Sequence, residues 1–487
     1  MKKYIYLFPV LSALLLTFSG PGYDYTVLSF IALVPVMYSI KRHTEKWIIL
    51  ATIYALVYNM INFYWVTETV NYFGDVNIII RWVLLFLLSA YLSIFLITFF
   101  YIFKRFENIF VLSIAYVIIE LIKGTLFTGF PWMNLGLNSL GYKPLAMNAA
   151  FLGELGVSYI IIFINLSISR IFFGEKRYLL YLIIIFIVSH IAYFYYKGDI
   201  GKGDRLKFAL VQPSYNYLKK WDPDQRMYVI NTVMKYTSDA VERKTDIVVL
   251  PESSFPLFIQ DEVRIIDYFL SNSFNRAFII GNIRYERKDS AINIFNSNLF
   301  ISNGQIGYYD KIHLVPFGEY FPLKFITAPI QRYFFGENGD FTPGKATKIF
   351  EYKNRKIGSV ICYEDAFYKI MLNTVKAGSE IIVITTNDSW FGKSRGRDQH
   401  FALSVMRSIE MGKGIIRSSQ SGISACIGPF GNIIAKKGID EKGILICDGI
   451  LNDKVTIFNK IGYSWIGLYL IVAIIIYLLY RYIRRSV

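Results

Sequence analysis

Cysteine is scarce in this chain: Cys362, Cys426 and Cys447 are the only three in 487 residues. So odd and sparse a set argues against a disulfide framework and leaves at least one thiol free. Histidine is nearly as rare, and His313 and His400 stand alone without a partner at metal-ligand spacing, so no metal site is expected from them. His400 reads as a hydrogen-bonded structural imidazole. Charge is short as well, at 18% of residues, where soluble domains carry nearer a quarter (about 25%). With 54% hydrophobic residues and a mean hydropathy of +0.39, an ordinary soluble enzyme is excluded in favour of a membrane protein. Acidic residues are outnumbered 36 to 52 by basic ones, a formal net charge of +16. That balance raises the prospect of a nucleic-acid binder, but Lys and Arg gather at the ends of apolar runs and no basic low-complexity arm exists. The excess is therefore membrane-flanking charge, and no nucleic-acid partner is expected.

Long apolar runs fill the first two hundred residues and return only in the last twenty-five. They lie near 4–19, 25–40, 47–67, 78–103, 108–123, 151–173, 177–196 and 463–480, which predicts eight crossings, although the shorter runs fall below the roughly 20 residues that a span needs. Met1-Lys2-Lys3 before the first run imitates a signal peptide, but no A-x-A-like site follows Phe18-Ser19-Gly20-Pro21, so an uncleaved first helix is expected. Lys2/Lys3, Lys41/Arg42/Lys46, Lys104/Arg105, Arg170/Lys176/Arg177 and Arg481/Arg484/Arg485 occupy every second side of an eight-span arrangement, which makes those sides, and both termini, cytoplasmic. The connections near Glu68–Asp75 and Gly124–Ala150 carry few cations, and the long middle segment falls on their side. Few ionisable groups lie deep in the runs, unlike a pump or transporter. Asn59, Asn62, Asn165 and His190 are the main polar residues there, and helix–helix hydrogen bonding accounts for them.

The expected division is a membrane domain over 1–197 with seven helices, a soluble domain over 198–461, and an eighth helix with a basic tail over 462–487. The soluble part alternates strand-like runs (Leu206–Val211, Asp246–Leu250, Ala277–Asn282, Ile294–Ser302, Lys356–Cys362, Ile381–Thr385, Gly414–Ser418, Ser424–Gly428) with helical patterns near Gln225–Val241, Val263–Ser273, Phe367–Lys376 and Gln399–Met411. That alternation is the mark of an α/β layered domain. Pro429-Phe430-Gly431-Asn432 predicts a hairpin turn.

Three stretches end or follow predicted strands with a reactive or charged residue: Val248-Val249-Leu250-Pro251-Glu252-Ser253, Tyr309-Asp310-Lys311-Ile312-His313 and Val360-Ile361-Cys362-Tyr363-Glu364-Asp365. Strand ends are where α/β domains build their sites. Singly, each has a bland reading: a small core cysteine, a helix-terminal carboxylate, an exposed turn lysine. Gly339–Ala346 has Walker A spacing, but Ala346 replaces the metal-binding hydroxyl and no helix start follows, so nucleotide binding is not expected.

Together, Glu252, Lys311 and Cys362 in that order resemble the pattern of the nitrilase, or carbon-nitrogen hydrolase, superfamily. The whole chain resembles its membrane-bound branch, the apolipoprotein N-acyltransferases. The resemblance runs from Gly20-Pro21 and Leu33-Val34-Pro35 through Gly129-Phe130-Pro131-Trp132, Leu135-Gly136, Gly153-Glu154-Leu155-Gly156-Val157, Leu314–Pro322, Phe341-Thr342-Pro343-Gly344 and Asn387–Gly392 to Arg407-Ser408-Ile409-Glu410. It implies a nitrilase-like αββα sandwich inserted between membrane helices. It also implies ping-pong acyl transfer from a membrane phospholipid, through a Cys362 thioester, to the α-amino group of diacylglyceryl apolipoproteins, the last step of lipoprotein maturation. Glu252 would be the general base, and Lys311 would favour the thiolate and stabilise the oxyanion. Glu319 resembles a further family glutamate, Tyr363 and Glu364 match the residues after the nucleophile, and the Tyr363 amide would serve the oxyanion. Trp221 resembles the family's tryptophan in the same early loop, which implies a substrate contact, with core packing of an amphipathic ring as the alternative. The resemblance places the protein in a bacterial cytoplasmic (inner) membrane with its catalytic domain on the periplasmic side, acting as a monomer, with no metal or nucleotide required.

The aromatic and apolar stretch from Phe317 to Phe335 is expected to dip into the outer leaflet and admit lipid tails. Val211-Gln212-Pro213-Ser214 and Ser419-Gln420-Ser421-Gly422 depart from the family pattern beside the pocket. Two rival readings remain: a membrane-tethered amidase using the same trio, and a non-enzymatic receptor or transporter. Eight spans argue against a mere tether, which needs one.

Overall fold

The computed structural model describes residues 4–72, 76–215, 220, 222–288, 291–322, 324 and 340–486, with Lys288, Ala291 and 476–486 described by backbone alone. Trp221, Phe325 and Ile326 lie outside the described residues, as does most of the loop expected to enter the leaflet.

The first half is helical: α1 (Leu7–Ser19), α2 (Val34–Arg42), α3 (Trp47–Asn62), α4 (Trp65–Tyr72), α5 (Ile78–Arg105), α6 (Ile109–Lys123), a short α7 (Lys143–Ala146), α8 (Ala149–Phe172) and α9 (Tyr178–Lys197). Among the described residues three helices, α5, α8 and α9, are long and apolar enough to cross a membrane, or four if the pair formed by Thr44–Asn62 and α4, bent by 47°, is one span. Each expected run does begin near a helix. However, α1, α2 and α6 have 13, 9 and 15 residues, and at roughly 1.5 Å rise per residue they fall short of a hydrocarbon layer of about 30 Å. Outward-facing Phe86, Leu87 and Ile94 on α5 and Ile187, Ile191 and Phe194 on α9 give these helices apolar outer faces, whereas α8 is wrapped by its neighbours. Polar residues inside the bundle tie helices together: Asn59 Nδ2 donates to Ser93 Oγ at 3.1 Å, Asn62 Nδ2 to Thr17 Oγ1 at 2.8 Å, and Asn165 Nδ2 to the Ser29 carbonyl at 2.7 Å.

The second half is built from two six-stranded sheets, ordered β12-β1-β2-β3-β4-β5 and β11-β10-β9-β8-β7-β6. Their strands are β1 (Arg205–Gln212), β2 (Ile247–Leu250), β3 (Ala277–Lys288), β4 (Ala291–Ser302), β5 (Gln305–Asp310), β6 (Ile349–Tyr352), β7 (Arg355–Ile361), β8 (Ile381–Thr386), β9 (Gly414–Ser419), β10 (Ser424–Gly428), β11 (Asn432–Lys437) and β12 (Gly443–Ile450). Phe208, Val249, Ile279, Ile357, Val383 and Ile416 pack between the sheets as one core. Helices α10 (Arg226–Glu242) and α11 (Val263–Ser271) cover the outer face of the first sheet. The second is covered by α12 (Tyr368–Lys376) and α13 (Gly396–Met411). An αββα sandwich results. In each sheet three strands run parallel, β1-β2-β3 and β7-β8-β9, so the ends of β2 and β7 open where α/β domains carry chemistry. A short helix α14 (Ile457–Ile461) and α15 (Ser464–Ser486) return the chain to the helical half, where the Trp465 indole donates to the Leu152 carbonyl at 3.0 Å.

Cys426 and Cys447 are paired as a disulfide between β10 and β12, with Cα atoms 6.4 Å apart, and Cys362 is the free thiol. Their separation of 21 residues carries no signal in the sequence; the pairing comes from two sheets meeting face to face.

Candidate active site

Cys362 closes β7 and opens a 3-10 turn to Ala366 with φ of +50°, a left-handed backbone that a side chain with a Cβ rarely adopts. Such strain persists only where surrounding contacts over-determine it, and it gathers at sites of chemistry. Here the determinant is Glu364, fully buried two residues on. Its Oε2 accepts the Ile361 amide and the Tyr309 hydroxyl, both at 2.8 Å, and its Oε1 accepts the amides of Ile312 at 2.6 Å and His313 at 3.1 Å. One carboxylate thus clamps the Cys362 turn to the segment carrying Lys311. Burial pushes the Glu364 carboxyl up to about 7, against the pull of those donors and of Lys311.

Glu252 follows β2 and Lys311 follows β5, and the fold brings both to the Cys362 end of the sandwich. The Lys311 ammonium donates to Glu319 Oε1 at 2.9 Å and Glu252 Oε1 at 3.3 Å. Asn296 on β4 bridges the same two oxygens, its Nδ2 donating at 2.7 Å to each. Glu252 Oε2 accepts the Asn387 amide at 2.8 Å, and Glu319 Oε2 accepts the Val315 amide at 2.7 Å. Burial draws the Lys311 ammonium down, but Glu319, Glu252 and the Cys362 sulfur outweigh it and hold the lysine above its ordinary range. Burial and then Glu252 push the Cys362 thiol well up, against Lys311 and a hydrogen bond from Thr386. The sulfur therefore sits beside a fixed ammonium and a carboxylate, which is the arrangement a base-activated thiol requires.

Tyr363 faces the other way. Its hydroxyl donates to the Gly129 carbonyl at 3.3 Å and its ring stacks 6.0 Å from Trp132, both in the helical half. Glu252, Lys311, Glu319, Tyr363 and Glu364 are thus all brought around Cys362. His400 lies beneath the site, its Nδ1 at 2.7 Å from Asp388 and its Nε2 at 3.1 Å from Asp365, with Arg417 spanning both carboxylates. The expectation of a hydrogen-bonded structural imidazole agrees with this placement.

Three residues escaped the sequence reading. Asn296 stands inside a strand without any motif, and Thr386 meets the sulfur only because Ile361 and Thr385 are neighbours across β7 and β8. Lys220 is the third: it is buried, it donates to the Ser253 carbonyl beside Glu252, and burial draws it down to about 7 against the pull of Glu252. A second lysine in the Lys219-Lys220 run was the available signal.

Comparison with known proteins agrees with this architecture. Residues 12–167 match the apolipoprotein N-acyltransferase N-terminal domain, and residues 207–452 match the carbon-nitrogen hydrolase family. The chain is 28% identical to an apolipoprotein N-acyltransferase of Geobacter metallireducens, covering 94% of this chain and 92% of that one. It is 30% identical to one of Neisseria meningitidis, covering 88% and 87%. An amidase of the nitrilase superfamily from Nesterenkonia aligns with 51% of this chain and 92% of its own at 16% identity and a TM-score of 0.38. The relatives that extend across both halves carry the acyltransferase name, which sets the amidase reading aside. With both halves matched in order along one polypeptide, the chain belongs to the apolipoprotein N-acyltransferase family.

Proposed function

We propose that this protein takes a fatty acyl chain from a membrane phospholipid, holds it as a Cys362 thioester, and delivers it to the α-amino group of the diacylglyceryl-cysteine of apolipoproteins, ending lipoprotein maturation. The observation that carries the reading is the seat of the nucleophile turn: Tyr363, adjacent to Cys362, packs directly on Gly129 and Trp132 of the helical half. A hydrolase of small soluble amides has no need of that contact, whereas a lipid ester reaches the sulfur from the membrane side.

Glu252 removes the thiol proton as Sγ attacks the ester carbonyl. Lys311 and the Tyr363 amide stabilise the tetrahedral oxyanion. Collapse breaks the ester bond, and the departing lysophospholipid oxygen takes the proton from Glu252. The incoming amine then attacks the thioester, loses a proton to Glu252, and forms the amide as the sulfur leaves and regains a proton. Glu319 holds Lys311 in place, Glu364 holds the turn, and Trp221 contacts substrate.

We further infer eight crossings over 1–197 and 462–487, with α1, α2 and α6 reaching across only together with the segments that flank them, both termini cytoplasmic and the 198–461 domain on the periplasmic side of a bacterial inner membrane, the chain acting as a monomer. Alternating Lys and Arg support the orientation, as does the Cys426–Cys447 disulfide, since such bonds persist outside the reducing cytosol. The deciding experiment incubates the purified chain with phospholipid carrying a labelled acyl group. Mass spectrometry should find the acyl mass on the Cys362 peptide, discharged on adding a diacylglyceryl-cysteine peptide. Ammonia release from small amides with no adduct would overturn the proposal.

A further inference from the structure

The turn that carries Glu252 is strained and held from several sides. Ser253, the next residue, has φ of +48°, in the left-handed region that a side chain with a Cβ rarely adopts. Neutral donors pin the backbone around it: the Ser254 hydroxyl donates to the Pro251 carbonyl at 2.6 Å, the Tyr215 hydroxyl to the Ser254 carbonyl at 2.9 Å, and the Ser254 amide to the Gly281 carbonyl at 2.8 Å. Gly281 on β3 lies so close that a Cβ there would stand 2.3 Å from the Pro251 carbonyl oxygen and 2.5 Å from Glu252 Cα. The Ser253 carbonyl is served differently. Its donor is the ammonium of Lys220, a residue only 1% exposed.

Desolvating an ammonium costs far more than desolvating a hydroxyl, and Tyr215 and Ser254 show that a hydroxyl suffices to cap a carbonyl in this same turn. A buried cation here calls for an anion to answer it, and Glu252 is that anion: burial draws Lys220 down and the Glu252 charge pulls it back. The carboxylate in turn has need of a second cation. Glu252 is 5% exposed, and the Lys311 ammonium, 3.3 Å from its Oε1, is shared with Glu319 at 2.9 Å; the Cys362 thiol is a further titratable group that faces it. We propose that Lys220 is a positioning residue for Glu252, fixing the backbone turn behind the carboxylate and keeping a positive charge beside it. This rests on the reading of Glu252 as the base of acyl transfer.

The test follows single-turnover acylation of the full chain in detergent by phospholipid with a labelled acyl group, in the wild type, Lys220→Met, Glu252→Gln and the double variant. Lys220→Met should lower the maximal rate by roughly 10- to 100-fold, as small displacements of a reacting group do, with the half-saturating phospholipid concentration unchanged. The acid limb of its rate profile should move to higher pH, because a carboxylate that loses a neighbouring cation takes up its proton more readily. In the Glu252→Gln background the same substitution should cost less than about twofold, since its effect passes through the missing carboxylate. Lys220→Gln keeps a donor for the Ser253 carbonyl without the charge; it should retain more of the rate, show the same displaced acid limb, and carry the comparison if Lys220→Met does not fold. Alkylation of Cys362 by iodoacetamide needs no acyl donor, and Lys220→Met should change its rate less once Glu252 is gone. Equal losses in both backgrounds, an unmoved acid limb, or a raised half-saturation at full rate overturn the proposal. A wild-type chain that takes no acyl group from phospholipid sinks the acyl-transfer reading instead, and the alkylation rates of the four proteins then decide this one.

Discussion

Burial and the Glu252 charge both oppose ionisation of Cys362, so the carboxylate proposed to activate the thiol would also keep it quiet between turnovers. Glu252→Gln should separate the two effects. Acyl-enzyme formation in single turnover should fall by roughly 10²- to 10⁴-fold, while alkylation of Cys362 by iodoacetamide at neutral pH should speed up, because removing the anion lowers the thiol pKa. If alkylation slows along with acyl transfer, the carboxylate is not what raises the sulfur. His400 makes a second residue-scale prediction. Burial and Arg417 press its imidazole down, yet Asp365 and Asp388 prevail and hold it at about 9, above its ordinary 6.5. A raised folded pKa gives stability that is complete below about 6.5 and lost as pH climbs through about 9, on the order of 3 kcal/mol for this buried group. Denaturant unfolding from pH 6 to pH 10 should show that loss in the wild-type chain, and His400→Asn should flatten the difference; parallel profiles would refute it. Glu252, Lys311 and Cys362 were legible as candidates because their short motifs, taken in order along the chain, resemble a family pattern. Asn296, Thr386 and Lys220 were not, because their roles come from strands pairing across sheets and from a burial that no local pattern reports.

At the scale of elements, periodicity located the helices and most strands but not their breaks. A long apolar run hid the bend after Asn62, where α3 gives way to α4. The edge strands β5, β6, β11 and β12 went unread because an edge has one partner and carries a weaker apolar alternation than the interior β8 and β9. Gly153 shows what an element can conceal. It interrupts α8 with φ of +73°, and a Cβ there would stand 2.4 Å from Phe458 and 2.5 Å from Tyr463, the residues that lead into α15. Gly153→Ala should therefore destabilise the chain by about 1–3 kcal/mol through overpacking, with added cost from the backbone. The expected readout is a lower thermal midpoint, whereas Gly174→Ala, at positive φ with no neighbour within 4 Å, should lower it less. Equal losses at the two positions would assign the effect to backbone strain alone.

For the molecule as a whole, Gln399 on α13 is the fastening. Its Oε1 accepts the indoles of Trp65 at 3.1 Å and Trp132 at 2.8 Å, and its Nε2 donates to the Asn62 carbonyl at 3.0 Å. Gln399→Leu strands all three partners in a buried seam, at a cost of about 1–3 kcal/mol for each one left unsatisfied. The variant should become sensitive to protease at the junction and lose transfer from long-chain phospholipid. It should still form an acyl-enzyme from a short water-soluble thioester, and equal loss on both donors would show the seam to be plain scaffolding. Sequence reading divided the chain into these two regions by hydropathy, but the seam itself is written in single side chains scattered over more than three hundred positions. The Trp132 and Tyr363 rings meet across that seam one residue from the sulfur. A molecule that parts those two rings would disturb the turn that carries the sulfur, and the shape it needs is set by two aromatic faces rather than by a lipid or a peptide.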